Sequence, residues 1–131
     1  MILDSSAVIA ILRRERDAGD FVEAIEGASV LRISAANYLE TAIVIDAEKD
    51  PIASRRVDEL LLRADVEIAA VTEEQARIAR EAYRNFGRGS GHPAKLNYGD
   101  CFAYALASTS AEPLLCKGSE FRKAGVKLAM E

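Results

Sequence analysis

The chain has 131 residues, half of them apolar and 29% charged, enough for one globular domain over 1–131 with a core able to fold alone. Its net charge of −4 excludes the overall basic footprint of many nucleic-acid binders, but leaves room for a cluster of carboxylates offset by bound cations. Cys101 and Cys116 stand in apolar runs with no CxxC or Cys/His neighbourhood, which argues against zinc or redox chemistry.

The apolar run Met1 to Leu3, ending at Asp4, predicts a first strand. A strand so close to the initiator leaves no space for a signal peptide, and no apolar run reaches membrane-span length, so a cytoplasmic protein is expected. Ser5 and Ser6 offer N-caps for a helix carrying Val8, Ile9, Ile11 and Leu12, with Arg13 to Asp17 as its solvated end. Gly19 and Asp20 open a second helix containing Phe21, Val22 and Ile25 that stops at Gly27. A second strand is predicted over Val30 to Ile33.

Ser34 then caps a helix from Ala35 to about Glu48, whose one notable residue is Glu40. Its face is apolar apart from Asn37 and Glu40 itself, so this carboxylate needs either a partner or a route to water. Asp50 and Pro51 precede a helix with Val57, Leu60, Leu61 and Leu62; Val66 to Val71 reads as a third strand; Thr72 with Gln75 caps a helix running to about Phe86. Three glycines and Pro93 give Gly87 to Asn97 the composition of a mobile loop, which also carries Arg88, His92 and Lys95. His92, ahead of Pro93, reads as a loop residue rather than a ligand.

The segment LNYGDCFAYALA, from Leu96 to Ala107, is a helix apolar nearly all round, capped by Asn97 and with Asp100 near its third position. Free backbone N–H groups and the helix dipole favour an ionised carboxylate there, so a capping box with Asn97 would by itself account for Asp100. Leu114 to Cys116 is a fourth strand, Gly118 a turn, and Val126 to Leu128 a candidate fifth strand. Alternating strands and helices imply an α/β fold: a mostly parallel sheet of four to five strands wrapped by helices.

In such a sheet ligand chemistry lies beyond the carboxyl ends of the strands. Asp4 follows the first strand and Glu120 the fourth. Asp100 opens the helix feeding that fourth strand, and Glu40 lies within two turns of the start of the helix after the second. Four converging carboxylates repel one another unless cations or protons intervene, and their oxygen-only character suits Mg²⁺ or Mn²⁺. A carboxylate-held Mg²⁺ with open positions suits phosphoryl transfer to water.

MILDSSAVIAIL, ISAANYLETAIVI, LNYGDCFAYALA and LLCKGSEF together resemble the four signature segments of PIN-domain ribonucleases, and more narrowly the VapC-type toxins of toxin–antitoxin pairs. The resemblance spans the whole chain. It implies the PIN-like fold, metal-dependent endonucleolytic cleavage of RNA, and catalytic, metal-binding roles for Asp4, Glu40, Asp100 and Glu120. It further implies a homodimer and a cognate VapB-type antitoxin whose arm covers the acidic groove, docked on an apolar stripe including Ile9 and Leu12. Two departures weaken the fourth acidic position. The family usually has aspartate where Glu120 stands, and often a Thr-Asp pair where this chain has Ala124 and Gly125. Arg88, Lys95 and Lys117, with Arg122 and Lys123, flank the acidic edge in sequence as candidate RNA-binding residues. Two other readings stay open. One is a catalytically inactive PIN-like binding module; the other is a phosphoaspartyl-type phosphohydrolase, which normally needs an aspartate where this chain has Ser6.

Overall fold

Ile2 and Leu3 alone form β1, and because successive side chains leave a strand on opposite sides, they feed two separate cores. The computed structural model describes residues 1–130. After β1 the chain runs through α1 (Ser5–Leu12), α2 (Ala18–Glu26), β2 (Leu31–Ser34), α3 (Ala35–Asp46), α4 (Pro51–Arg63) and β3 (Val66–Ala69). It continues through α5 (Glu73–Phe86), α6 (Tyr98–Ser110), β4 (Leu114–Leu115) and α7 (Glu120–Lys123). The sheet order is β3-β2-β1-β4 with every pairing parallel, so the expected α/β architecture holds with four strands.

Ile2 joins Leu96, Ala103, Leu106, Leu114 and Phe121 on one side of the sheet. Leu3 joins Val8, Phe21, Ile33 and Leu115 on the other. Alanines on α6 let that helix lie flat on the sheet: Ala103 and Ala105 are both fully buried.

Three sequence expectations are corrected. The third strand stops at Ala69 instead of Val71 because its partner Ser34 is the last residue of β2 and turns at once into the cap of α3. The fifth strand shrinks to a single bridge between Leu128 and Leu114, since the backbone N–H of Val126 is spent closing α7 on Phe121 O at 3.0 Å. The cap of α1 is Asp4, whose Oδ2 accepts from Ser6 N at 3.0 Å, in place of the two serines.

The 87–97 segment, loop-like in composition, is closed at its base. Arg88 N donates to Leu96 O at 3.0 Å and Leu96 N to Phe86 O at 2.9 Å. Inside it Ser90 Oγ donates to Gly87 O, and His92 Nδ1 accepts from Ala94 N while its ring stands edge-on to Phe86. His92 is therefore a structural loop residue. Among the described residues no helix is long and apolar enough to cross a membrane.

Candidate active site

Because β1 and β4 are adjacent and parallel, the residues following both arrive at one edge. Asp4 N donates to Leu115 O at 2.9 Å, and Lys117 N donates to Ser6 Oγ at 2.9 Å, so the two strand ends are laced together. Asp4 is only 4% exposed. Its Oδ2 accepts from the amide and hydroxyl of Ser6, while its Oδ1 is buried without a partner. Burial above all, then the nearby Asp100 and Glu40, pushes its carboxyl up to about 7, against the pull of the Ser6 hydrogen bonds.

Glu40 is half-buried and does not reach for water along its own helix. Its Oε1 accepts from Ser5 Oγ and, at 3.3 Å, from Asn37 Nδ2. Asn37 is fully buried and also donates to Gly99 O at 3.0 Å, so one amide ties α3 to the first turn of α6. A Cβ on Gly99 would lie 2.1 Å from Glu40 Oε2, so only glycine leaves space for this carboxylate. Asn37 and Gly99 escaped the sequence reading. The signal available was Asn37 at one-turn spacing before Glu40, on an otherwise apolar face.

Asp100 and Asn97 form the complete capping box expected: Asp100 N donates to Asn97 Oδ1 at 2.8 Å and Asn97 N to Asp100 Oδ2 at 2.9 Å. Burial raises the Asp100 carboxyl and the backbone hydrogen bond opposes it; Glu120 and Glu40 add to the rise and Arg88 offsets it. Glu120 opens α7 two residues after Gly118, whose φ of +99° suits glycine and whose added Cβ would sit 2.4 Å from Glu120 Oε2. Cys116 reports the convergence independently. Burial first, then Asp4, Glu120 and Asp100 together, pushes its thiol up to about 12.

Asp4, Asp100 and Glu120 line a cleft of about 440 Å³, together with Arg88, Lys95 and Lys117. Glu40 stands outside that lining, on the Gly99 side of Asp100. Lys117 is not a free cation: its ammonium pairs with Glu15 and, at 3.3 Å, with Asp17.

The donor set fits a hard divalent cation. It is made of carboxylate oxygens, it holds an orphaned buried oxygen on Asp4, and its acids raise one another's affinity for protons. Among the described residues no three Asp, Glu, His or Cys side chains close on a common point, so an ion here would use one or two carboxylates and keep water ligands, the habit of Mg²⁺.

Comparison with known proteins identifies the family. The PIN domain family profile matches residues 1–127. Ribonuclease VapC28 of Mycobacterium tuberculosis is 55% identical over 131 residues, covering 100% of this chain and 98% of that protein. Ribonuclease VapC30 of the same species is 48% identical over 122 residues, with 93% and 92% covered. Among solved structures, M. tuberculosis VapC20, described as a sarcin-ricin loop cleaving toxin, superposes with a TM-score of 0.77 at 16% identity over 95% of each chain. A toxin-antitoxin complex from Klebsiella pneumoniae superposes at 0.69, with 16% identity, 92% of this chain and 88% of that one. The fold, the end-to-end family match and the identity to VapC proteins together place this chain in the PIN domain family, among its VapC-type members.

Proposed function

We propose that this chain is a divalent-metal-dependent endoribonuclease, the toxin of a toxin–antitoxin pair, acting in the cytoplasm. The observation that carries the proposal is the convergence of Asp4, Asp100 and Glu120 on one cleft, with Glu40 braced beside it, in a chain 55% identical to a relative named a ribonuclease. Mg²⁺ or Mn²⁺ held by one or two of the carboxylates of Asp4, Asp100 and Glu120, with Glu40 beside them, would supply an activated water and neutralise charge on the phosphate.

The chain's own residues do the rest. Asp4 is fixed by the Ser6 amide and hydroxyl, so its unpartnered Oδ1 is presented rigidly. Asn37 and Ser5 hold Glu40 in one orientation, which preorganises it. Arg88 and Lys95 on the cleft wall attract the RNA backbone, whereas Lys117 must first leave Glu15 and Asp17 to do so. A homodimer and a VapB-type antitoxin complete the reading. The antitoxin, expected over Ile9 and Leu12, would instead lie over Leu12 and Ile11, which with Leu60 line a shallow cleft between α1 and α4 that Ile9 does not line.

The test is incubation of antitoxin-free protein with structured RNA and Mg²⁺ or Mn²⁺, beside EDTA and the Asp4→Asn and Asp100→Asn variants. Cleavage is expected only with metal and both aspartates. Cleavage that persists in EDTA or in either variant refutes the carboxylate mechanism, and no cleavage of any RNA favours an inactive binding module. Growth arrest on expression, relieved by co-expressing the antitoxin, tests the toxin role.

A further inference from the structure

Lys117 lines the carboxylate cleft with its backbone fixed and its charge engaged elsewhere. Its amide donates to Ser6 Oγ at 2.9 Å, and that hydroxyl donates in turn to Asp4, so the lysine is anchored two hydrogen bonds from the most buried acid of the site. Its ammonium, however, pairs with Glu15 and, at 3.3 Å, with Asp17. These acids stand 102 and 100 residues away in the chain, in the turn between α1 and α2.

That turn is closed on itself. Glu15 N donates to Ala10 O at 2.9 Å, Ala18 N donates to Glu15 O at 3.0 Å, and Arg14 takes the left-handed φ of +54° that ends α1. The two carboxylates are therefore presented from hydrogen-bonded backbone, and the freedom in the trio belongs to the four-carbon stem of the lysine. One ammonium facing two carboxylates leaves the trio net negative beside a cleft that has to admit phosphate. All three side chains are between 32% and 43% exposed, so water screens the pairs and the ammonium can change partners. A second copy of the chain that left the cleft open would leave Lys117 open with it.

We propose that Glu15 and Asp17 form a carboxylate clamp that holds Lys117 back from the substrate and thereby sets RNA affinity: an entering phosphate must win the ammonium from them. The clamp rests on the ribonuclease reading for the identity of the polyanion, but not for its own geometry.

The experiment measures fluorescence anisotropy of a labelled RNA hairpin in EDTA over a series of salt concentrations. The proteins are wild type, Glu15→Gln/Asp17→Asn, Lys117→Ala and the triple variant, all free of antitoxin. One released phosphate contact should tighten binding by the double variant about 5- to 8-fold at about 0.1 M salt and steepen the slope of log K against log salt by about 0.7 to 0.9. In the Lys117→Ala background the same two substitutions should bring little gain and no steeper slope. Glu15→Gln alone should give a smaller gain of the same sign, so the outcome does not depend on the double variant folding. The clamp is overturned if neither the double variant nor Glu15→Gln binds more tightly than wild type. An equal gain in the Lys117→Ala background also overturns it, because the acids would then act by repulsion alone, and so does failure of every protein to bind the hairpin. Cleavage with Mg²⁺ in the same preparations separates the readings. A gain that depends on Lys117 without cleavage by wild type sinks the nuclease alone, and cleavage by wild type without that gain sinks the clamp alone.

Discussion

At Asp4, burial and the neighbouring Asp100 and Glu40 act in the same direction, so the folded chain holds a proton there up to about pH 7. The unfolded chain releases it near pH 4. Between those values the folded state binds more protons than the unfolded one, so stability falls as pH rises through that window. Scanning calorimetry in EDTA should give a melting temperature lower at pH 8 than at pH 5. Asp4→Asn should flatten the profile, and Mg²⁺ at pH 8 should recover stability in wild type but not in the variant. A melting temperature that rises from pH 5 to pH 8 would contradict the burial argument. Gly99→Ala tests Glu40 without touching any acid. Alanine favours a helix over glycine by about 1 kcal/mol, which offsets part of the clash, so the fold should survive. With its Cβ 2.1 Å from Glu40 Oε2, it displaces the carboxylate, and RNA cleavage should drop about 10-fold or more with little change in melting temperature.

Two short elements aim the cleft: the first turn of α6 and the closed 87–97 segment. Asn97→Ala removes the side-chain acceptor for Asp100 N and should cost about 1 kcal/mol, read as a fall of a few degrees in melting temperature. Asp100→Asn keeps an oxygen able to accept from Asn97 N, so it should lose less stability than Asn97→Ala while losing cleavage. That ordering separates the capping role of Asp100 from its chemical one, which sequence spacing could not do. Gly87→Ala should be worse than either for stability. Its Cβ would meet the backbone oxygen of Tyr83 at 2.3 Å, and backbone cannot swing aside as a side chain can. Arg88 and Lys95 would then leave the cleft wall together, and thermal unfolding with an RNA-binding titration would record both losses.

For the whole molecule, RNA binding by an acidic protein depends on where the cations stand rather than on net charge. If Arg88 and Lys95 each meet one phosphate, log K against log salt should have a slope of about −1.4, and Arg88→Ala should reduce it by about 0.7. A slope near zero would mean that these two cations contact no backbone. Much of this architecture was legible in the residues because it is local. Alternating apolar runs gave the parallel sheet, glycines and caps marked most element ends, and Asp4, Glu40, Asp100 and Glu120 could be assigned to one edge by topology alone. Strand ends were misplaced where pairing decides them: Val71 has no neighbour beyond Ser34, and Val126 spends its amide on α7. Sequence by itself therefore determined the family, the fold and the edge where the acids meet, since each follows from short-range pattern and chain order. Only the tertiary structure decided that Asp4 keeps an orphaned oxygen, that Asn37 and Gly99 brace Glu40, and that Lys117 is already paired. Those outcomes are set by how elements distant in the chain pack against one another, which sequence spacing does not report.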